Sequence, residues 1–477
     1  MSEKGDHTND GVEGSRVTRR DFARSTVVAG AAAVTLPSAL RAESSGSRES
    51  LAGTASAGQF SDLWRPGTTI PAKYYLDEEI YLKDEAIIRD NLWLFVDHES
   101  RIPNAGDYFV YAFGRSDSVI VVRNNDGEIN AFHNVCRHRG SRLCRHDADP
   151  IPDDPRLSVK QLDQEGSSPV FRCPYHAWTY DVDGNLIYAY GMQEDFDPAD
   201  NGLMPCNLKT YEGQIFLHLG EGEPPDFEPY VRRISDVSRR HGIAQLKIAA
   251  RRQYVMDANW KLALENFLEC YHCGPSHSWL VAAHDWDYAL SADQRQDLEK
   301  DLDTWVVGEA RPGGSADNEP SLRSDAGVGK GFLNPGIETG TLDGKRAAPL
   351  LATFDEPTHG FREAGSGWYT GYWAAYDDHV AIARFAPRDI DLTDVEIIWL
   401  VHPDAQEGRD YDVEDVIGLW HVTIKEDKWV VENNHAGVRS GAYGAGHYAI
   451  HEPLPRRFVE WYMRVMEGAD ASGSDFT

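Results

Sequence analysis

The sequence predicts an α+β protein in two parts: a small β-sandwich domain, then a larger domain in which an antiparallel sheet is covered by helices. Two observations predict it. Between residues 93 and 225, short β-branched and aromatic runs are separated by Asx-Gly turn signals. Beyond residue 225, helix-period and strand-period segments are mixed, and the order suits an antiparallel sheet with helices on it. At 477 residues and 41% hydrophobic content, the chain has ample core for two or three domains.

Taken in order, Ser15-Arg-Val-Thr18-Arg19-Arg20-Asp21-Phe22-Ala-Arg24 is a twin-arginine signature, followed by a modestly apolar stretch from Ser25 to Leu40. That stretch is too short and too alanine-rich for a spanning helix and fits the apolar region of an export signal. Residues 1–42 are therefore read as a signal that directs export, to the periplasm or its equivalent. Leu40 is a poor residue for cleavage after Ala42, so a retained membrane anchor is the runner-up, and an unexported basic tail is the bland alternative. Residues 43–61 read as a disordered Ser/Ala/Gly-rich linker and 62–92 as a helical segment.

The β domain, 93–225, contains Tyr108 to Arg123 followed by the Asn125-Asp126-Gly127 turn, a second turn at Asp183-Gly184-Asn185, and a closing strand at Gln214 to Leu219. Asp147 to Ser168 reads as a solvated loop. In the second domain, 226–470, the expected order begins with helix Tyr230–His241, strand Gln245–Met256 and a helix from Asn259 ended by Gly274-Pro275. Strands follow at Trp368–Trp373, His379–Phe385 and Val395–His402, then helices at Val413–Asn433 and Pro455–Glu467. The polar stretch Ser291 to Gly340 reads as a mobile lid or an irregular insertion. A net charge of −30 argues against nucleic-acid binding. Of six cysteines, Cys270 and Cys273 stand one helical turn apart, where bridging geometry is poor, so no disulfide is expected.

The chemistry is concentrated in two constellations. Cys136-Arg-His138 and Cys173-Pro-Tyr-His176 offer two thiolates and two imidazoles, each pair beside a Gly or Pro that places it at a hairpin tip. This pattern suits a Rieske [2Fe-2S] cluster, with the thiolates on one iron and the imidazoles on the other. A structural zinc ion is the alternative for the same donors. The second constellation is Asn266, Glu269, His272 and His277, where recurrence every three residues lays the first three along one wall. Two histidines and a distant carboxylate form the facial triad of a non-haem Fe(II) oxygenase, though an H-x4-H spacing alone is a weak signal.

Together these motifs resemble the Rieske non-haem iron oxygenases, the terminal oxygenase (alpha) subunits of the ring-hydroxylating family. The resemblance runs from Pro71 to Glu432. It implies that the third iron ligand is the second acid of the Glu426-Asp427 pair on a late helix, with Glu426 the competing choice. It also implies that Glu269 bridges His272 to His176 of a neighbouring subunit, in a homotrimer. An acid there accepts a hydrogen bond from each imidazole and shortens the electron path. Asn266 is a group near the iron or a helix-packing amide. Because no plant-type ferredoxin cysteine spacing and no dinucleotide fingerprint are present, a separate reductase or ferredoxin supplies the electrons.

The substrate expected for a chain of this kind is a small organic molecule oxidised with O2. Glu at position 269 resembles the branch that oxidises methylated quaternary and tertiary amines, and aromatic-ring hydroxylation is the alternative. A different class, an electron carrier that kept the cluster and lost oxygen chemistry, is disfavoured by intact His272, His277 and Asp427.

Overall fold

The computed structural model describes residues 64–146, 160–285, 328–358, 360–365, 371–449 and 452–468, all within one compact unit. The expected signal and linker over 1–61 lie outside the described residues, as do 147–159 of the acidic loop and 286–327 of the expected lid. No helix among the described residues is long and apolar enough to cross a membrane.

Two helices, α1 (Lys73–Leu76) and α2 (Glu78–Asn91), precede the β domain. Asp77 starts α2 because its carboxylate accepts the otherwise unpaired backbone N–H groups of Glu79 and Ile80. The β domain then runs β1 (Leu94–His98), β2 (Asp107–Phe113), β3 (Asp117–Arg123), β4 (Ile129–His133), β5 (Glu165–Ser167), β6 (Val170–Arg172), β7 (Thr179–Asp181), β8 (Leu186–Tyr188), β9 (Asn207–Tyr211) and β10 (Gln214–His218). Its sheets have the orders β4-β3-β2-β5, β6-β7-β8 and β1-β10-β9. Between β3 and β4, Asn124 Oδ1 accepts from the backbone of Asp126 and Glu128, and Gly127 takes φ 86°, as the turn residues anticipate. Glu165–Ser167, read as part of a loop, is an edge strand on β2, because its backbone completes the ladder opposite Asp107–Phe109.

The second domain runs α3 (Glu228–Arg240), β11 (Lys247–Met256), α4 (Trp260–Phe267), α5 (Cys273–Ser276), α6 (Ser278–Ala283), β12 (His284–Asp285), β13 (Val328–Leu333), β14 (Gly360–Gly365), β15 (Tyr372–Ala375), β16 (His379–Asp389), β17 (Leu392–Val401), α7 (Val413–Val438) and α8 (Pro453–Met466). The strands form one antiparallel sheet in the order β11-β17-β16-β15-β14-β13-β12. Val328–Leu333, inside the stretch read as an insertion, therefore belongs to the sheet. Strand alternation decides what each face meets. Val395, Ile397, Trp399 and Val401 of β17 share a core with Trp260, Leu262 and Leu264 of α4 and Ile417 and Ile424 of α7. Ile398 and Leu400 point the other way, into a core with Tyr230, Ile234 and Val237 of α3 and with Phe95 and Phe216 of the β domain. Each such fully buried apolar side chain contributes roughly 1.5–3 kcal/mol.

Helix α4 is fixed at its start. Asn259 accepts from Lys261 N–H and donates to the carbonyls of Tyr75 and Ile390. Lys261, fully buried, pairs with buried Asp84 of α2, whose carboxylate also accepts from Trp260 Nε1 and Tyr462 OH. This network ties α2, α4 and α8 together.

The helix was expected to continue to Gly274-Pro275, and it does not. It stops at Phe267, and the Glu269 carboxylate then accepts from the N–H groups of Tyr271 and His272, capping a new turn. Pro275 sits in the first turn of α5, where a missing N–H costs nothing, so it helps begin a helix rather than end one. The expectation of free Cys270 and Cys273 also fails. Their Cα atoms lie 4.9 Å apart, Cys270 stands before α5 and Cys273 begins it, and the sulfurs join in a disulfide.

Candidate metal centres

The first centre lies at two tips. Cys173–His176 spans the hairpin between β6 and β7, and Ala177, with φ 62°, closes it. Cys136–His138 follows β4 in a loop closed by hydrogen bonds from Cys136 N to Ser141 O and Gly140 N to Cys136 O, with Gly140 at φ 77°. The two tips meet: the His138 and His176 rings are 4.6 Å apart, and Trp178 stacks on His138 at 4.7 Å. Cys136 and Cys173 are buried and unbridged, and burial first, with Cys173 alongside, pushes the Cys136 thiol up. His138 Nδ1 is buried without a hydrogen-bond partner. A buried nitrogen with nothing to bond, next to two buried thiols of which Cys136 is costly to ionise unaided, fits a metal cluster held by these four residues. His176 and Tyr175 are exposed, so this centre has an open side.

The second centre is buried. His272 lies just before α5 and His277 just after it; Asp427 reaches them from α7, 150 residues beyond His277. Their donor atoms converge: His272 Nε2 is 3.1 Å from His277 Nε2 and 3.2 Å from Asp427 Oδ1, and His277 Nε2 is 2.9 Å from the same oxygen. Adjacent donors of an octahedral divalent ion with bonds of about 2.1 Å lie about 3 Å apart, so the three atoms fit one face of its coordination shell. Desolvation lowers the His272 pKa, but hydrogen bonds to Asp427 and Glu269 outweigh it and hold the imidazole up to about 9. The site thus attracts positive charge. Cys273 Sγ also lies within 4.8 Å of the histidine donors, but it is bonded to Cys270, which leaves the third position to Asp427.

Glu269 and Asn266 both reach His272. Glu269 Oε1 is 2.5 Å from His272 Nδ1, and Asn266 Nδ2 is 3.2 Å from Nε2, with Asn266 Oδ1 buried and unpartnered. The wall expected from a continuous helix is therefore real in space, but a turn makes it. Glu426, the competing ligand, faces the other side of His277: its Oε2 is 2.8 Å from Nδ1.

A cavity of about 220 Å3 opens on the buried centre, lined on its apolar sides by Phe267, Leu268, Leu280, Tyr372, Trp420 and Leu454. Sequence reasoning missed these wall residues. For one of them a signal existed: Trp420, Thr423 and Asp427 are spaced by three and four on α7 and so share a face.

Residues 92–212 match the family described as Rieske [2Fe-2S] domain, and residues 243–468 the family described as ring hydroxylating alpha subunit (catalytic domain). The glycine betaine monooxygenase oxygenase subunit of Chromohalobacter salexigens is 31% identical over 418 residues, 83% of this chain and 86% of that protein. The carnitine monooxygenase oxygenase subunit of Escherichia coli is 33% identical over 221 residues, 44% of this chain and 52% of that protein. Among solved structures, a quaternary ammonium Rieske monooxygenase with bound L-carnitine has a TM-score of 0.58 at 21% identity, covering 84% of this chain and 96% of that one. Naphthalene 1,2-dioxygenase from Rhodococcus sp. has the same fold, with a TM-score of 0.59 at 20% identity and coverages of 84% and 95%. The chain therefore belongs to the Rieske non-haem iron oxygenases, as an oxygenase (alpha) subunit that carries a [2Fe-2S] cluster and a mononuclear iron and works with a separate reductase on a small substrate and O2.

Proposed function

We propose that this subunit oxidises a methylated quaternary or tertiary amine, hydroxylating a carbon next to nitrogen so that the product loses formaldehyde. The observation that carries this reading is the aromatic wall of the cavity on the buried centre, Phe267, Tyr372 and Trp420. Ring faces attract an ammonium group that has shed its water, which an apolar wall without rings does not. The glycine betaine and carnitine monooxygenase subunits among the relatives above support the same class. Iron held by His272, His277 and Asp427 would supply dioxygen activation. The chain's own contribution is position and exclusion of water: Leu268, Leu280 and Leu454 line the apolar side, and Asn266 lies beside the donor nitrogen of His272. A pool of methylated amines and aromatic acids, given to reduced protein under oxygen, should yield formaldehyde and a demethylated amine by mass spectrometry. Oxidation of the aromatic acids alone would replace this reading with ring hydroxylation, for which the biphenyl 2,3-dioxygenase alpha subunit of Rhodococcus jostii, 32% identical over 210 residues, is the supporting relative.

The working unit in this reading is a homotrimer in which the exposed His176 of one copy meets Glu269 of the next. Exposed aromatics on both sides support it: Tyr175 beside the cluster, and Tyr271, Trp279 and Trp429 around the iron histidines. A monomeric mass in solution, with turnover independent of protein concentration, would sink the trimer. Export by the twin-arginine route rests on residues 15–24. It predicts that the protein reaches the periplasm of a bacterial host only when that translocase is present.

A further inference from the structure

Both imidazoles at the buried centre have the same arrangement. Each turns Nε2 toward Asp427 Oδ1, and each turns Nδ1 toward a glutamate: Glu269 at 2.5 Å for His272, Glu426 at 2.8 Å for His277. Glu269 has a part in the proposed electron route. Glu426 has none. It precedes Asp427 on α7, and consecutive side chains on a helix point about 100° apart, so one turn of α7 presents an acid to each nitrogen of the same ring. That geometry also excludes Glu426 as the iron ligand, since its oxygen meets the nitrogen directed away from the other donors.

An imidazole that offers Nε2 to a metal must carry its proton on Nδ1, and a carboxylate accepting that proton's hydrogen bond fixes both the tautomer and the ring plane. His277 is 1% exposed, so no water competes for the role. The Glu426 side chain is one-third exposed and lines a cavity of about 460 Å3 with Pro275, Ser276, Val422, Lys425, Trp429 and Val430. The acid therefore reaches a buried ring from a position open to solvent. We infer that Glu426 is a positioning residue that holds His277 in the Nδ1–H form, aims Nε2 at the metal and sets how tightly the centre retains it. This rests on His277 being a ligand.

The test uses the full-length protein with its cluster loaded and the mononuclear site emptied by a chelator, and Co(II) as the probe. Glu426→Ala should bind Co(II) about 10–100-fold more weakly than the unaltered protein. Glu426→Gln, whose amide oxygen still accepts from Nδ1, should recover most of that affinity. The cluster absorption should be the same in all three, which shows that the chain is folded. Unchanged Co(II) affinity in Glu426→Ala would overturn the inference. So would equal losses in the Ala and Gln variants with a changed Co(II) ligand-field spectrum, because that marks a direct ligand. A His277→Ala variant separates the two levels: if it binds Co(II) normally, the ligand set itself is wrong, whatever Glu426 does.

Discussion

The two metal centres are built on opposite plans. At the cluster, donors come from two tips of one small domain, two and three residues apart within each pair, and His176 is exposed. At the iron, two donors flank a single helical turn, the third comes from a helix 150 residues on, and His277 and Asp427 are 1% and 4% exposed. The difference follows the chemistry. A centre that passes electrons between proteins must have an edge within reach of a partner, whereas one that activates dioxygen must be shielded from water. Locality carries the first design, and only packing delivers the second.

The largest test of that contrast separates the centres by metal content. His277→Ala should abolish substrate oxidation and lower iron from about three to about two per chain with the cluster spectrum intact. Cys136→Ser should instead lower iron to about one and bleach the cluster. Joint loss of both metals in either variant would mean that the centres do not form independently. Next in size is Lys261→Met. It leaves Asp84 buried and unpaired at the base of α4, where burial raises its pKa, and should cost about 3–5 kcal/mol in denaturant unfolding. A cost below about 1 kcal/mol would show that the network does not anchor α4.

Glu269→Ala tests the link between the centres. It should keep about three irons per chain while slowing reoxidation of the cluster by substrate and oxygen some 100-fold. Unchanged single-turnover oxidation would remove Glu269 from the electron route. Trp420→Ala should raise KM for a methylated amine roughly fivefold to thirtyfold, equivalent to about 1–2 kcal/mol, with Trp420→Phe recovering part of it. An unchanged KM would take the ring out of the substrate wall.

The smallest effect is a pH slope. Burial first, opposed by hydrogen bonds from Tyr448 and Tyr75 and by Lys261, raises the Glu265 carboxyl from about 4.5 to about 7. The folded state thus holds a proton that the unfolded chain releases, and this contribution to stability is full below pH 4.5 and lost as pH rises to about 7. Glu265→Gln should flatten the fall in stability across that interval. An identical slope in the variant would show that Glu265 titrates normally.

Much of this molecule is legible in order along the chain. The Cys-x-His and Cys-x-x-His pairs, the Asn124–Glu128 turn and the long helix α7 are local patterns, and the structure places them where turn chemistry and 3.6-residue spacing put them. His272 and His277 are visible as residues, and His277 does lie just past a helix end, but His272 stands on a turn and not inside a continuous helix. A helix-period pattern runs through Leu268, and nothing in composition announces that Glu269 will cap a new turn or that Pro275 will begin one. Asp427 is a similar case: an acid on a helix looks solvated until its neighbours are known, and the family resemblance, not the local pattern, selected it.

What the sequence alone determined is therefore the inventory and the local frames: which side chains can hold metal, which segments turn, and which strand positions face inward. What only the tertiary structure decided is convergence. It brings Asp427 to within 3.2 Å of both histidines, sets Glu426 against the far side of His277, and walls the cavity with Tyr372 and Trp420. The physical reason is that short-range patterns encode φ/ψ preferences and solvent exposure, whereas distances between residues far apart in the chain come from burying the two faces of one sheet against different helices.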